Sequence, residues 1–252
     1  MTLRDSNFSG SQFNRSNLSG GNFDRSDLSK TQFKRAFLAR VEGKSVNMTE
    51  AVFQDATLTE AKFVDAILKN SNLQRADLSR AHITTSDFND ADLTSAIAPN
   101  VNFEGSKFVN ARFDHMNLKD ARLDKGIFHN VVFGNAVVHG ATMANADLSN
   151  ADLSNAQGLK QAQLDTACGD AETRLPIGLS IPYCENPAHR GHDSSDHEGL
   201  DPALAAAASR LDKAIADIED ILSETPPKER KLRRRLQGVH ANLTSSRRAI
   251  ER

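Results

Sequence analysis

Large apolar residues return at every fifth position of this chain, beginning at Leu3 and keeping phase as far as Leu153. Of the 31 positions on this beat, 29 are Leu, Phe, Met, Ile or Val; the exceptions are Gly43 and Ala98. Twelve of the 13 Phe residues fall on it, among them Phe13, Phe33, Phe53, Phe113 and Phe133. Two residues before the beat stands a small side chain, as at Ser6, Ser16, Ala56, Ala76, Ala121 and Ala146. The units Ala76 to Arg80 (Ala-Asp-Leu-Ser-Arg) and Ala146 to Asn150 (Ala-Asp-Leu-Ser-Asn) show the pattern at its clearest. A period of five suits neither a helix, which needs about 3.6, nor a strand, which needs about 2. To bury one small and one large residue in every five, the chain must run a short extended side, turn, and start again. Four sides close a square. Coils of about 20 residues then stack at strand spacing, roughly 4.8 Å apart, and nearly eight of them make a rod of about 37 Å.

A step of 20 can be checked within the sequence. It places Leu18, Leu38, Leu58, Leu78, Ala98, Leu118 and Val138 in one inner column. A second column holds Phe13, Phe33, Phe53, Leu73, Leu93, Phe113, Phe133 and Leu153, and stacked rings are expected there. On the outside, Arg35, Asp55 and Arg75 fall in line, as do Arg40, Glu60 and Arg80, and Lys30 with Glu50. Opposite charges therefore alternate up two faces, as stacked neighbours favour. Gly43 and the pair Ala98-Pro99 are expected to mark bulges or bent turns, because glycine leaves the interior empty and proline cannot donate to a ladder.

The pattern resembles the pentapeptide-repeat family. That resemblance implies a mainly β fold, a right-handed quadrilateral β-helix solenoid, over residues 1–157. The beat fails at Gly158. Leu159 to Ala167 has helical spacing and is stopped by Gly169, so a capping helix followed by an extended tail is expected over 158–182, the tail running along the rod. This segment looks like the tail found after the last coil in many bacterial pentapeptide-repeat proteins. Residues 183–200 are polar and read as a flexible linker. Asp201-Pro202 and Thr225-Pro226 each supply an N-cap with proline at the first helical position. Leu204, Ala208, Leu211, Ile215, Ile218 and Leu222, then Leu232, Leu236, Val239, Leu243 and Ile250, keep a heptad frame. Residues 201–252 thus read as a coiled-coil-like α-helical hairpin. Its first helix is acidic and its second basic.

Chemistry adds little to this picture. No stretch approaches the length of a membrane span, and no signal-peptide pattern opens the sequence. The two cysteines, Cys168 and Cys184, are too few for a disulfide scaffold and suit a reducing cytoplasm, so a cytoplasmic location is expected. Cys184 with His189, His192 and His197 matches no standard structural zinc spacing; a solvated linker without metal is expected. His82, His115, His129 and His139 sit on outer positions with no evident Ser or Cys partner, and the repeat aspartates, such as Asp77, Asp92, Asp147 and Asp152, occupy a position the repeat itself favours. No catalytic constellation and no cofactor site emerges, so a non-enzymatic scaffold for a protein partner is the leading expectation. The alternative, implied by the quinolone-resistance branch of the resembled family, is a DNA-mimicking modulator of DNA gyrase or topoisomerase. Against it, the rod carries 17 bases and 18 acids up to Ala156, with a net positive stretch over 1–44 and a net negative one over 45–100. The run Lys228, Arg230, Lys231, Arg233, Arg234 and Arg235 is a candidate partner-binding strip; pairing with the acidic first helix is expected ahead of nucleic acid or an anionic surface. A second apolar row, Ala207, Ala214 and Ile221, suggests that two hairpins pair and make a homodimer.

Overall fold

In a computed structural model, each extended side pairs in parallel with the side 20 residues later. The structure describes residues 2–184, 209–211, 213–215 and 218. Four faces begin with the pairs Thr2↔Asn22, Asn7↔Asp27, Gln12↔Gln32 and Asn17↔Phe37, and continue in 20-residue steps as far as Thr142, Asp147, Asp152 and Gln157 respectively. The sides are so short that only three count as strands: β1 (Glu42–Lys44), β2 (Lys62–Val64) and β3 (His82–Thr84). These pair in the order β1-β2-β3, with Gly43 over Phe63 and Phe63 over Ile83.

One repeat shows why the sequence takes this form. In Ala76 to Arg80, Ala76 and Leu78 point inward and are fully buried. The Ala76 N–H donates to Leu73 O and the Ala81 N–H to Leu78 O, each closing a turn. The Asp77 N–H reaches Ala56 O in the coil before, while the Leu78 and Arg80 N–H groups reach Ile97 O and Pro99 O in the coil after. The fourth residue, Ser79, is left without a backbone acceptor. Asp77 supplies one: its Oδ1 accepts from the Ser79 N–H at 2.9 Å and from Ser79 Oγ. The same bond recurs from Thr94 N–H to Asp92, Ser149 N–H to Asp147 and Ser154 N–H to Asp152. The repeat aspartates are therefore turn acceptors, replacing the missing ladder bond with a local side-chain one.

The fifth residue of nearly every repeat lies in the left-handed region, at φ 57° for Arg80 and 55° for Asn150. Gly, Asn and Asp enter that region most readily, yet this chain also places Arg15, Arg25, Arg35, Arg75 and Arg80 there. Each such residue costs roughly 1–2 kcal/mol relative to right-handed backbone. The turn points these long side chains outward, where they meet the neighbouring coil. Arg75 and Arg35 both approach Asp55, at 2.7 and 3.9 Å, and Arg80 meets Glu60 at 2.9 Å. Arg25 grips Asp5 through two nitrogens, at 2.7 Å each. Further along, Asn110, Asn130 and Asn150 form a ladder on Asp90, each side-chain amide donating to the side-chain oxygen one coil before it.

The two expected distortions resolve differently. Pro99 occupies the fourth position of its repeat, where the ladder uses no N–H, so the missing N–H of proline costs nothing there. Ala98 is fully buried and its N–H reaches Asn117 O in the usual way, so no bulge forms there. At Gly43 the turn does open into a bend, but the turns stacked on it at Phe63 and Ile83 open as well. Serine hydroxyls take up the freed amides: the Ala66 N–H donates to Ser86 Oγ and the Ser86 N–H to Ser106 Oγ, both at 3.1 Å. The space at Gly43 is not empty. A Cβ there would meet the Phe63 ring at 3.0 Å and Val46 Cγ1 at 3.1 Å.

Beat residues form one continuous core. Phe33, Phe53, Leu78, Phe113 and Phe133 are fully buried, while Phe13, near the open first coil, is partly buried with Leu3 and Phe8. Phe13, Phe33 and Phe53 stack face to face at 5.6 and 5.0 Å. Phe113 and Phe133 do not stack: their rings meet edge to face at 74°. The neighbouring column Phe88, Phe108 and Phe128 is itself stacked, at 4.8 and 5.2 Å, and Phe108 and Phe128 also meet Phe113 edge to face, at 81° and 79°.

The last coil is closed by the segment after Gly158. The helix expected over Leu159 to Ala167 is only one turn, α1 (Gln161–Leu164). Leu164 is fully buried in the core, and Gln163 Nε2 donates to Val138 O and Ala141 O. The chain then stacks on the last coil with slipped register, Cys168 on Asp147 and Arg174 on Asp152. The following apolar stretch does not run along the rod. Ser180 exchanges two bonds with the Gln161 side chain, Ile181 is buried, and Tyr183 pairs with Gly169. This return brings Cys184 beside Cys168, and the two form a disulfide. The expectation of two separate reduced thiols is thereby corrected: a 14-residue step between Gly169 and Tyr183, invisible to a five-residue beat, closes the loop.

Compact units divide the chain at Met1–Cys184 and Glu185–Arg252. In the second, Ser209 to Leu211, Lys213 to Ile215 and Ile218 are helical. Among the described residues, no helix is long and apolar enough to cross a membrane.

The core makes a direct prediction. Phe113→Ala should cost about 3–5 kcal/mol, because coils above and below are pinned by backbone bonds and cannot close the gap; denaturant melts measure it, and a loss under ~1 kcal/mol would contradict internal packing. The turn acceptors predict a pH dependence. Hydrogen bonding from the Ser154 hydroxyl holds the Asp152 carboxyl below its ordinary value, and at Asp24 the Lys44 N–H does the same. At Asp92, burial pushes upward, but bonds from Thr94 and Gln74 outweigh it and the net direction is down. Groups with depressed folded values stabilise the fold fully above their unfolded value, and this contribution is lost as pH falls through the folded value. The midpoint of urea unfolding should therefore be level from neutrality to about pH 5 and fall progressively below about pH 4, near the unfolded carboxyl value.

Candidate functional site

A solid core leaves function to the outer faces, the turns and the closed end. Along the faces, the second residue of each repeat points outward. Most are polar, but Phe37 is 54% exposed and Ile97 46%, on the same face, and Val132 is 50% exposed on another. Phe37 is the one Phe that falls off the beat. Beside it in sequence, the turns of three successive coils line a shallow groove of about 520 Å³ with Asn14, Arg15, Lys34, Arg35, Gln54 and Asp55. Three of these are cations and one is an acid. The Lys34 N–H is taken up by Asn14 Oδ1 at 2.9 Å, which fixes the groove floor.

Near the end of the coil, several reactive side chains gather. His129, Asp147 and Ser149 come together because turns 20 residues apart stack. His129 Nε2 lies 2.8 Å from Asp147 Oδ2 without an aligned hydrogen bond, and that nitrogen is buried. Ser149 Oγ donates to Asp147 Oδ1 at 2.6 Å. Cys184 Sγ lies 3.2 Å from the same oxygen. Burial pushes the Asp147 carboxyl up, but bonds from the Ser149 hydroxyl and N–H, together with the close approach of the His129 imidazole, outweigh it and leave it below its usual value. The order is Ser–Asp–His, with the carboxylate in the middle. A serine nucleophile needs the imidazole as its proton acceptor and the acid behind the imidazole, so this arrangement does not activate Ser149.

Sequence reasoning placed His129 on an outer position with no evident partner. The structure supplies Asp147 and Ser149, and the signal was present, since 129 and 149 differ by one coil. Cys184 could not be found that way, because it reaches the site only through the slipped register after Gly158. His115 lies 3.7 Å from its neighbour Asp114. The basic strip Lys228, Arg230, Lys231, Arg233, Arg234 and Arg235 and the histidines His189, His192 and His197 lie outside the described residues.

Comparison with known proteins agrees with the coil. The structure of QnrB1 in a trypsin-treated form, a plasmid-mediated fluoroquinolone resistance protein, aligns with 17% identity over 70% of this chain and 83% of that one, with a TM-score of 0.50. HetL, a pentapeptide repeat protein involved in heterocyst differentiation regulation in the cyanobacterium Nostoc sp. strain PCC 7120, aligns with 22% identity over 70% of this chain and 81% of that one, with a TM-score of 0.40. At these identities the likeness concerns the fold alone. No curated protein matches the sequence. The model of the pentapeptide repeats, however, matches in 8 copies across residues 3–41, 47–84, 86–124 and 127–166. This chain belongs to the pentapeptide-repeat family.

Proposed function

We propose that the chain is a non-enzymatic scaffold that binds a protein partner along the coil, in the cytoplasm. The observation that carries this reading is the assignment of the repeat polar groups to the fold itself. The aspartates that catalysis would draw on accept turn amides, and the interior is filled by Leu and Phe. What remains is surface. The groove at Arg15, Lys34 and Arg35, with Phe37 exposed nearby, has the composition for an acidic, partly apolar protein segment: cations to meet carboxylates and one aromatic anchor. Replacing Lys34 and Arg35 by Glu should abolish photo-crosslinking of a partner through a probe at Phe37 in cells while leaving the melting curve unchanged. Retained crosslinking would move the binding face elsewhere.

The second reading, a gyrase or topoisomerase modulator that mimics DNA, draws on the fold shared with QnrB1, a fluoroquinolone resistance protein. Mimicry of duplex DNA calls for a continuous acidic field, and here Arg and Asp alternate from coil to coil at Arg35, Asp55 and Arg75. Gyrase supercoiling in the presence of the purified chain should proceed at the uninhibited rate; inhibition at stoichiometric protein would favour the second reading.

Residues 201–252 are proposed as a helical hairpin that pairs two copies, with the strip from Lys228 to Arg235 lying against the acidic first helix rather than on nucleic acid or an anionic surface. Support comes from the heptad pattern and from the half-burial of Leu211, Ile215 and Ile218. Sedimentation should give a dimer for the full chain and a monomer for residues 1–200; equal states for both would remove the pairing.

A further inference from the structure

The disulfide that closes the last coil sits on a set of metal-ligating atoms. Cys168 Sγ, Cys184 Sγ and a carboxylate oxygen of Asp147 all lie within 4.8 Å of one another. All three side chains are half-buried. Separate backbone bonds hold each residue in place independently of the sulfur–sulfur bond. Cys168 N–H donates to Ala146 O and its carbonyl accepts from Leu148 N–H; Cys184 N–H donates to Gly169 O; Asp147 N–H donates to Gly126 O. Opening the disulfide therefore leaves two thiols and a carboxylate converging on one point. The carboxylate is prepared as well. Ser149 Oγ holds Oδ1, and His129 Nε2 stands 2.8 Å from Oδ2 with its own atom buried and no aligned hydrogen bond.

We propose that this corner is a redox-controlled zinc site: when the Cys168–Cys184 bond is reduced, both thiolates and Asp147 Oδ1 bind one Zn²⁺. Two thiolates with a carboxylate are a donor set that zinc accepts, at about 2.3 Å to sulfur and 2.0–2.2 Å to oxygen in a tetrahedral arrangement. Water takes the fourth position, because the side chains are only half-buried. His129 acts behind the metal, holding Oδ2 and so orienting Oδ1, the kind of outer contact that tunes metal affinity. The reaction balances with a dithiol as reductant. The protein disulfide gains two electrons and two protons, the dithiol becomes a disulfide, and Zn²⁺ then displaces both thiol protons. Net, disulfide, dithiol and Zn²⁺ give zinc dithiolate, oxidised dithiol and two protons. Oxidation runs the other way and releases the metal. In a reducing compartment, where protein disulfides are mostly transient or redox-sensing, the zinc form is the resting state.

The test uses the full chain. It is reduced, freed of reductant under anaerobic conditions, and titrated with Zn²⁺ and with Co²⁺, alongside the oxidised protein. One equivalent should bind to the reduced protein and none at this corner of the oxidised one, and the cobalt form should show thiolate-to-metal charge-transfer absorption. Asp147→Asn should weaken binding, and His129→Ala should weaken it by about 10–100-fold. Simultaneous replacement of His189, His192 and His197 by Ala should leave the affinity unchanged, which separates this corner from the histidines that follow Cys184 in the sequence. The proposal is overturned by no uptake in the reduced wild type, or by equal uptake in Cys168→Ser. It is equally overturned if the triple histidine variant loses binding while Asp147→Asn keeps it. Because the cobalt spectrum is read on the wild-type chain, a cap variant that fails to fold does not rescue the idea.

Discussion

The coil depends on hydrogen bonds between its turns at a spacing of 20 residues. In the typical repeat the second residue donates backward, and the third and fifth donate forward, as Asp77, Leu78 and Arg80 do. Backbone, not side-chain burial, therefore sets where the next coil can lie. The core follows from this constraint. Once one side is placed, its inward residues stand over those of the coil before, so Leu38 meets Leu58 and Phe33 meets Phe53 at 5.0 Å. The outward charges are likewise brought into contact rather than chosen for strength. Pairs as exposed as Arg80 with Glu60 contribute little individually, and their value lies in agreeing with the register.

The repeat motif is a solution to one local shortage. A square corner made in five residues leaves the fourth amide without a ladder partner, and Asp or Asn at the second position provides it. That is why Asp77, Asp92, Asp147 and Asp152 recur with Ser or Thr two residues later, and why Pro99, which has no amide to satisfy, is accepted at a fourth position. The left-handed fifth residue is the other half of the solution. It turns the chain sharply at an energetic cost that the ladder outweighs.

Much of this was legible in the sequence because the period is strict. The beat gave the coil size, the columns and the ladder Arg35, Asp55 and Arg75, since these need only counting. Ring geometry was not legible. Whether Phe113 and Phe133 stack or meet edge to face depends on Phe108 and Phe128 in the adjoining column, and a linear reading treats columns separately. The closing end was least legible of all. After Gly158 the pairing steps become irregular, from Asp147 to Cys168 and from Gly169 to Tyr183, so counting no longer predicts neighbours. The disulfide and the cluster around Asp147 are found only in three dimensions, although the approach of His129 to Asp147 was within reach of the 20-residue step.

The square cross-section carries a consequence for how such a chain can change length. Removing five residues from a middle coil would keep the remaining beat residues inside, yet rotate all later segments by a quarter turn. Arg75 would leave Asp55, and the exposed Phe37 and Ile97 would no longer share a face. A gain or loss of about 20 residues, by contrast, lengthens or shortens the stack while returning each face to its place. The coil can therefore be edited freely along its axis only in whole turns of about 20 residues, and a smaller step in multiples of five reshuffles its surface while keeping the beat residues inside.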